Sequence, residues 1–176
     1  MVLTSLALGL GEDELRLWGR FDREALAAGQ FWRLITAHLV HLSWGHVWLN
    51  LAALVMMAAL FSDVMPASDW VLASILSAVS IDVGLYFFEP DVSWYVGLSG
   101  ALHGMMIVGA FGLVKHYGAI GYVLLIGVGG KLLWEQGIGP IPLSESTSGG
   151  PALVAAHFYG AIGGLLAQLT RIILRR

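Results

Sequence analysis

The sequence predicts an all-α integral membrane protein, a bundle of five or six helices. Of its 176 residues, 57% are hydrophobic and only 12% are Asp, Glu, Lys or Arg, about half the roughly 25% charged share of a soluble domain. The charges are also unevenly spread: nine of the twenty-one fall between Glu12 and Arg33, and none falls in 34–62, 92–114 or 146–170. Each empty stretch is long enough to cross a bilayer as a helix, which takes about 20 apolar residues. The length leaves room for five or six spans and no separate soluble domain, so residues 1–176 read as one membrane domain.

Taken in order, the first ten residues, MVLTSLALGL, are apolar. They are too short for a span and lack the basic start of a signal peptide. They read as the end of a first helix, or as an unusually short one. Residues 11–40 form a structured first loop, in which Leu15, Leu17, Trp18, Phe21 and Leu26 recur among Arg and Glu as short amphipathic helices lying on the membrane. Five spans follow within 41–170: about 41–61, 70–88, 99–114, 118–134 and 152–170. The connector after the fourth, EQGIGPIPLSESTSGGP, carries Pro140, Pro142 and Pro151 with several Gly and Ser, and reads as a flexible loop.

Orientation is encoded weakly. The first loop offsets Arg16, Arg20, Arg23 and Arg33 with five acids, whereas Lys115, Arg171, Arg175 and Arg176 have no acid near them in sequence. If those mark the cytoplasm, the first loop, the 89–98 loop and the Gly/Pro loop lie on the outer side. Cysteine is absent, which excludes thiol catalysis, disulfides and cysteine metal sites, and a net charge of -3 excludes a basic nucleic-acid footprint.

Four sets of residues carry chemistry. Gly100 and Gly104 on one span, and Gly160 and Gly164 on another, are each four apart, so both helices offer a stripe without Cβ atoms for close packing. Ser99 begins its span inside GLSGALHG, flanked by Gly97 and Gly100, where an uncrowded hydroxyl and unused helix N–H groups suit a nucleophile and an oxyanion hole. His157 shares a helical face with Gly160 and Gly164, so a close crossing brings its imidazole to Ser99. His46 and Asn50 are i and i+4, able to donate to one developing oxyanion. No acid is placed to complete a triad, and Asp82 reads as a polar link, reaching toward Lys131.

In order and spacing, Trp32-Arg33, His41, His46, Asn50, Gly97-Leu98-Ser99-Gly100, and Ala156-His157 with Gly160 and Gly164 resemble the rhomboid intramembrane serine proteases, over 32–170. A closer resemblance is to the rhombosortase branch, through His103 and Gly104, the stretch AHLVHLSWGHVWLN, and KLLWEQGIGP before the last helix. The resemblance implies a six-helix rhomboid-like bundle in a bacterial inner membrane, with a Ser99–His157 dyad in a cavity open to the periplasm. It implies an oxyanion hole of His46, Asn50 and the Ser99 N–H, a first loop stabilised by Trp32-Arg33, and His103 stacked on or bonded to His157. It implies no cofactor and no metal. Its substrates would be membrane proteins with C-terminal tails made of a Gly-Gly segment, a hydrophobic helix and a basic end. Two rivals exist. A membrane haem or metal binder using His41, His46, His103 and His157 leaves Ser99 and Asn50 unexplained. An inactive scaffold would be expected to lack the serine or the histidine.

Overall fold

The computed structural model describes residues 13–142 and 144–174; the expected first helix, 1–10, lies outside them. The first loop folds as helices α1 (Asp13–Gly19), α2 (Arg23–Ala27) and α3 (Arg33–Thr36) around a two-residue strand β1 (Phe21–Asp22). Five long helices follow: α4 (Trp44–Phe61), α5 (Ala67–Phe88), α6 (Ser99–Tyr117), α7 (Ala119–Gly137) and α9 (Val154–Leu174). Strand β2 (Trp94–Tyr95) precedes α6, and the short helix α8 (Ser144–Ser148) lies within the Gly/Pro connector.

A long helix forms at each of the five expected spans, with informative differences at their ends. Helix α4 starts at Trp44 rather than near His41 because Ser43 is its N-cap, its hydroxyl accepting from the His46 N–H at 3.2 Å. Helix α7 runs on to Gly137, three residues beyond the expected end at Trp134, and so carries Glu135 and Gln136 out of the presumed loop. The rest of that loop is not wholly irregular, since α8 interrupts it.

The radial pattern is that of a protein in lipid. Val55, Met56, Phe87, Ile126 and Leu133 point outward, 64–78% exposed, while His46, Asn50, Ser77, Glu135 and His157 are buried inside. Exposed apolar faces over that length suit hydrocarbon, and polar side chains in a membrane protein turn toward the bundle interior. Helices α4 and α5 are long and apolar enough to cross a membrane by length and composition alone.

Helix α9 is wedged between α5 and α6, its two most extensive neighbours. The predicted glycine stripes form that seam. A Cβ on Gly100 would stand 2.7 Å from the Ala156 carbonyl oxygen, and one on Gly164 would stand 2.6 Å from the Gly104 Cα. A Cβ on Gly160 would collide with the Gly100 carbonyl, and one on Gly104 with the Ser77 hydroxyl. Backbone therefore lies on backbone along the crossing.

The first loop is braced internally by polar and ring contacts and anchored to the bundle by Arg23 and by the buried Phe21, Leu26 and Ala37, which pack with Ile81, Leu85 and Ala156. Arg33 is buried and donates to the Leu17 and Arg20 carbonyls at 2.8 and 2.9 Å and to Gln30 at 2.9 Å. Trp32 stacks on Trp18 with ring centres 5.5 Å apart. These are the contacts through which Trp32 and Arg33 could play the stabilising role that the resemblance implies. Arg23 covers the end of α5, donating to the Leu85, Tyr86 and Glu89 carbonyls at 2.6, 2.8 and 2.7 Å, where the last turn leaves acceptors unused. Strand β1 pairs antiparallel with β2, Phe21 opposite Tyr95 and Asp22 opposite Trp94. The first loop thus holds the segment that leads directly into Ser99.

One expected polar link is corrected. Asp82 does not reach Lys131. It faces His38, 3.3 Å away, close enough for an ion pair though too misaligned for a hydrogen bond. Arg171, which has no acid near it in sequence, gains one in the fold: Asp69 of α5 comes to 2.8 Å from its guanidinium, because antiparallel packing joins the start of α5 to the end of α9.

Candidate active site

Ser99 is the first residue of α6, so its N–H and those just after it have no acceptor within the helix. The approach to it is fixed by Gly97, whose φ of +117° disfavours a side chain and whose added Cβ would stand 2.7 Å from the His46 ring. The Gly97 N–H donates to the Ala37 carbonyl at 2.8 Å, and its carbonyl accepts from the Tyr95 hydroxyl at 2.5 Å. A tight, doubly anchored turn therefore sets where the helix begins.

The glycine seam brings His157 to Ser99: the distance from Oγ to Nε2 is 3.0 Å. The His157 Nδ1 lies 2.9 Å from Glu135 Oε2 on α7. The other Glu135 oxygen accepts from Lys131 Nζ at 2.6 Å, and the same ammonium lies 2.9 Å from His103 Nε2. His103 stacks on His157, with ring centres 4.3 Å apart and planes 21° from parallel, and its Nδ1 donates to the Ser99 carbonyl at 2.8 Å. Of the two alternatives weighed for His103, stacking on His157 is the one observed; its hydrogen bonds go to Ser99 and Lys131, not to His157.

These contacts fix the protons by elimination. A carbonyl and an ammonium leave His103 only the form with hydrogen on Nδ1 and a lone pair on Nε2. An ionised Glu135 likewise takes a hydrogen from His157 Nδ1, leaving the Nε2 lone pair to accept from the Ser99 hydroxyl. The arrangement suits deprotonation of a serine.

Glu135 corrects the expectation that no acid stands near the histidine. Its sequence signal was the i, i+4 spacing from Lys131 in an otherwise uncharged helix. Ending the helix at Trp134 hid it. His103, Glu135 and His157 also form a three-ligand cluster of the kind that can bind a metal, their nearest ligand atoms within 4.8 Å of one another. The Lys131 ammonium, touching both His103 and Glu135, already supplies the cation at that place.

His46 and Asn50 lie on one buried face of α4, as their spacing implies. The Leu42 N–H approaches His46 Nδ1 at 3.5 Å, which favours a hydrogen on Nε2, the nitrogen beside Gly97. His41 meets His46 edge-on at 4.9 Å. The Asn50 side-chain nitrogen is buried and has no hydrogen-bond partner among the described residues. A cavity of about 170 Å³ is lined by His46, Ser99, His157, Trp94, Ser148 and Leu153, among others. Asn50 lines a neighbouring cavity of about 260 Å³ with Ser99, His103 and Lys131. Trp32 and Arg33 lie outside both.

Comparison with known proteins gives the family. Residues 28–173 match the family model described as the Rhomboid domain. The chain is 30% identical over 86 residues to a Bacillus subtilis (strain 168) protein named "Putative rhomboid protease YdcA"; the match covers 49% of this chain and 43% of that protein. With the family model spanning most of its length, the chain belongs to the rhomboid family.

Proposed function

We propose that this protein is an intramembrane serine endopeptidase with Ser99 as nucleophile and His157 as general base. The observation that carries the reading is the 3.0 Å contact between Ser99 Oγ and His157 Nε2 at the wall of a cavity. Cleavage inside a membrane needs water at the reacting bond, and the buried polar side chains around Ser99 give that water a place.

His157 Nε2 takes the hydroxyl proton as Ser99 Oγ bonds to the scissile carbonyl carbon. Negative charge then grows on the carbonyl oxygen. The unpaired Asn50 amide, the His46 Nε2–H and the Ser99 N–H are the donors proposed to meet it; loss of one such donor costs about 3 kcal/mol in the transition state. As the C–N bond breaks, His157 returns the proton to the leaving amine. Water, deprotonated by the same imidazole, then releases the acyl group from Ser99.

The substrate class proposed is the C-terminal tail of exported proteins, with a Gly-Gly segment, a hydrophobic helix and a basic end, in a bacterial inner membrane with the cavity toward the periplasm. This rests on the resemblance to rhombosortases and on physics. Paired glycines weaken a helix end and let the backbone extend toward Ser99 past the His46 ring and Gly97. The basic end would keep the scissile region on the outer side. A membrane reporter carrying this tail should be released in cells expressing the protein. Replacing both glycines with Leu should suppress release. Equal release of the Leu-substituted tail, or preference for other transmembrane substrates, would leave a rhomboid protease of broader specificity.

A further inference from the structure

We propose that Glu135 is a positioning residue that converts the Ser99–His157 pair into a Ser–His–Glu triad, with Lys131 as the counter-ion that lets a carboxylate remain ionised there. The inference rests on the reading of Ser99 and His157 as nucleophile and base.

Three observations support it. Glu135 is only 4% exposed, and its two oxygens are divided between two partners, Oε2 to His157 Nδ1 at 2.9 Å and Oε1 to Lys131 at 2.6 Å. A buried carboxylate needs such compensation, because an unpaired one is strongly disfavoured. Second, the contact falls on the nitrogen opposite Ser99. A carboxylate at Nδ1 holds the imidazole in the form whose Nε2 is free to accept, and stabilises the imidazolium once the serine proton arrives. The Nδ1 proton stays on His157 throughout, so the step moves one proton only, from Ser99 Oγ to Nε2. Third, the ring is held from its face as well as its edge. His103 stacks on His157, and Lys131 binds His103 and Glu135 together. Rotation of the His157 ring would break the contacts with Ser99 and Glu135 at once.

A purely structural role for Glu135, tying α7 to α9, makes different predictions. The test uses the full chain in detergent or proteoliposomes and compares Glu135→Gln, Glu135→Asp and Ser99→Ala, with kcat, KM and thermal midpoint measured for each. Glu135→Gln should lower kcat roughly a hundredfold to ten-thousandfold, with KM changed less than threefold and the midpoint nearly kept. Glu135→Asp, which retains a carboxylate, should recover part of that loss. Activity of Glu135→Gln within threefold of the parent, or a loss that follows the fall in folded protein, would overturn the proposal. Nitrogen-15 NMR of histidine in the parent protein needs no variant to fold. It should show His157 with hydrogen on Nδ1, and hydrogen on Nε2 would overturn the proposal equally. An inactive Ser99→Ala beside a fully active Glu135→Gln would sink the triad alone, whereas an active Ser99→Ala would sink the dyad beneath it.

Discussion

Glycine does opposite things in two parts of this bundle. Along the α6–α9 crossing, Gly100, Gly104, Gly160 and Gly164 touch the facing backbone, and an added methyl at any of them meets atoms that belong to main chain or to buried Ser77 and Ile81. On α7, Gly127, Gly129 and Gly130 have nothing within 4 Å of where a Cβ would stand. The first set sets a distance; the second leaves a helix whose polar link to the site runs through Lys131 and Glu135. The Ser99–His157 geometry is therefore fixed where backbone meets backbone and tuned where side chains reach across.

The largest effect should come from the crossing. Gly104→Ala would drive a methyl into Ser77 and Gly160, and overpacking of this kind costs up to about 3 kcal/mol, sometimes more. A marked fall in thermal midpoint is expected, with activity lost even in the folded fraction because Ser99 and His157 separate. Retention of full activity would mean that the seam does not set their distance. The first loop, where hydrogen bonds work beside the buried Phe21, Leu26 and Ala37, should be intermediate. Arg33→Ala leaves two carbonyls without their donor and should cost about 2 kcal/mol, read as a lower midpoint.

The turn before α4 offers a pH test. Burial pushes the His41 pKa down from 6.5 to about 4, against the opposing pull of the Leu39 carbonyl. The unfolded chain then binds a proton that the folded chain resists. His41 therefore leaves stability intact above pH 6.5 and subtracts from it progressively as pH falls from 6.5 to about 4. His41→Gln should flatten that part of the midpoint-versus-pH curve. The smallest effect belongs to α7: Gly127→Ala and Gly129→Ala should leave activity unchanged and stability equal or raised by less than about 1 kcal/mol. A large loss at either position would erase the contrast between the two helices.

Much of the site was legible because it obeys short-range spacing. The i, i+4 pair His46 and Asn50, the serine at a helix start, and a histidine in phase with a glycine stripe all follow from helical geometry. The partners of that stripe were legible too, since two Cβ-free faces fit one another. Glu135 was missed for a boundary reason: glycines and prolines shortly after it suggested a loop, yet the helix continued to Gly137. The Arg23 cap on α5, the β1–β2 pairing and the Asp69–Arg171 pair join residues 62 to 102 positions apart. Nothing local in the chain reports such distances. Asp82 was assigned to the wrong partner because its position on α5 did not reveal that His38 of the first loop turns back over that helix.

The most direct measurement is labelling of the detergent-solubilised protein with a fluorophosphonate probe, which reports an activated serine and requires no known substrate. The parent chain should be labelled at Ser99, while Ser99→Ala and His157→Ala should be unlabelled yet retain the parent's folded yield. Labelling of Ser99→Ala at the parent's level, or cleavage of a membrane substrate by that variant, would contradict the assignment of Ser99 as nucleophile.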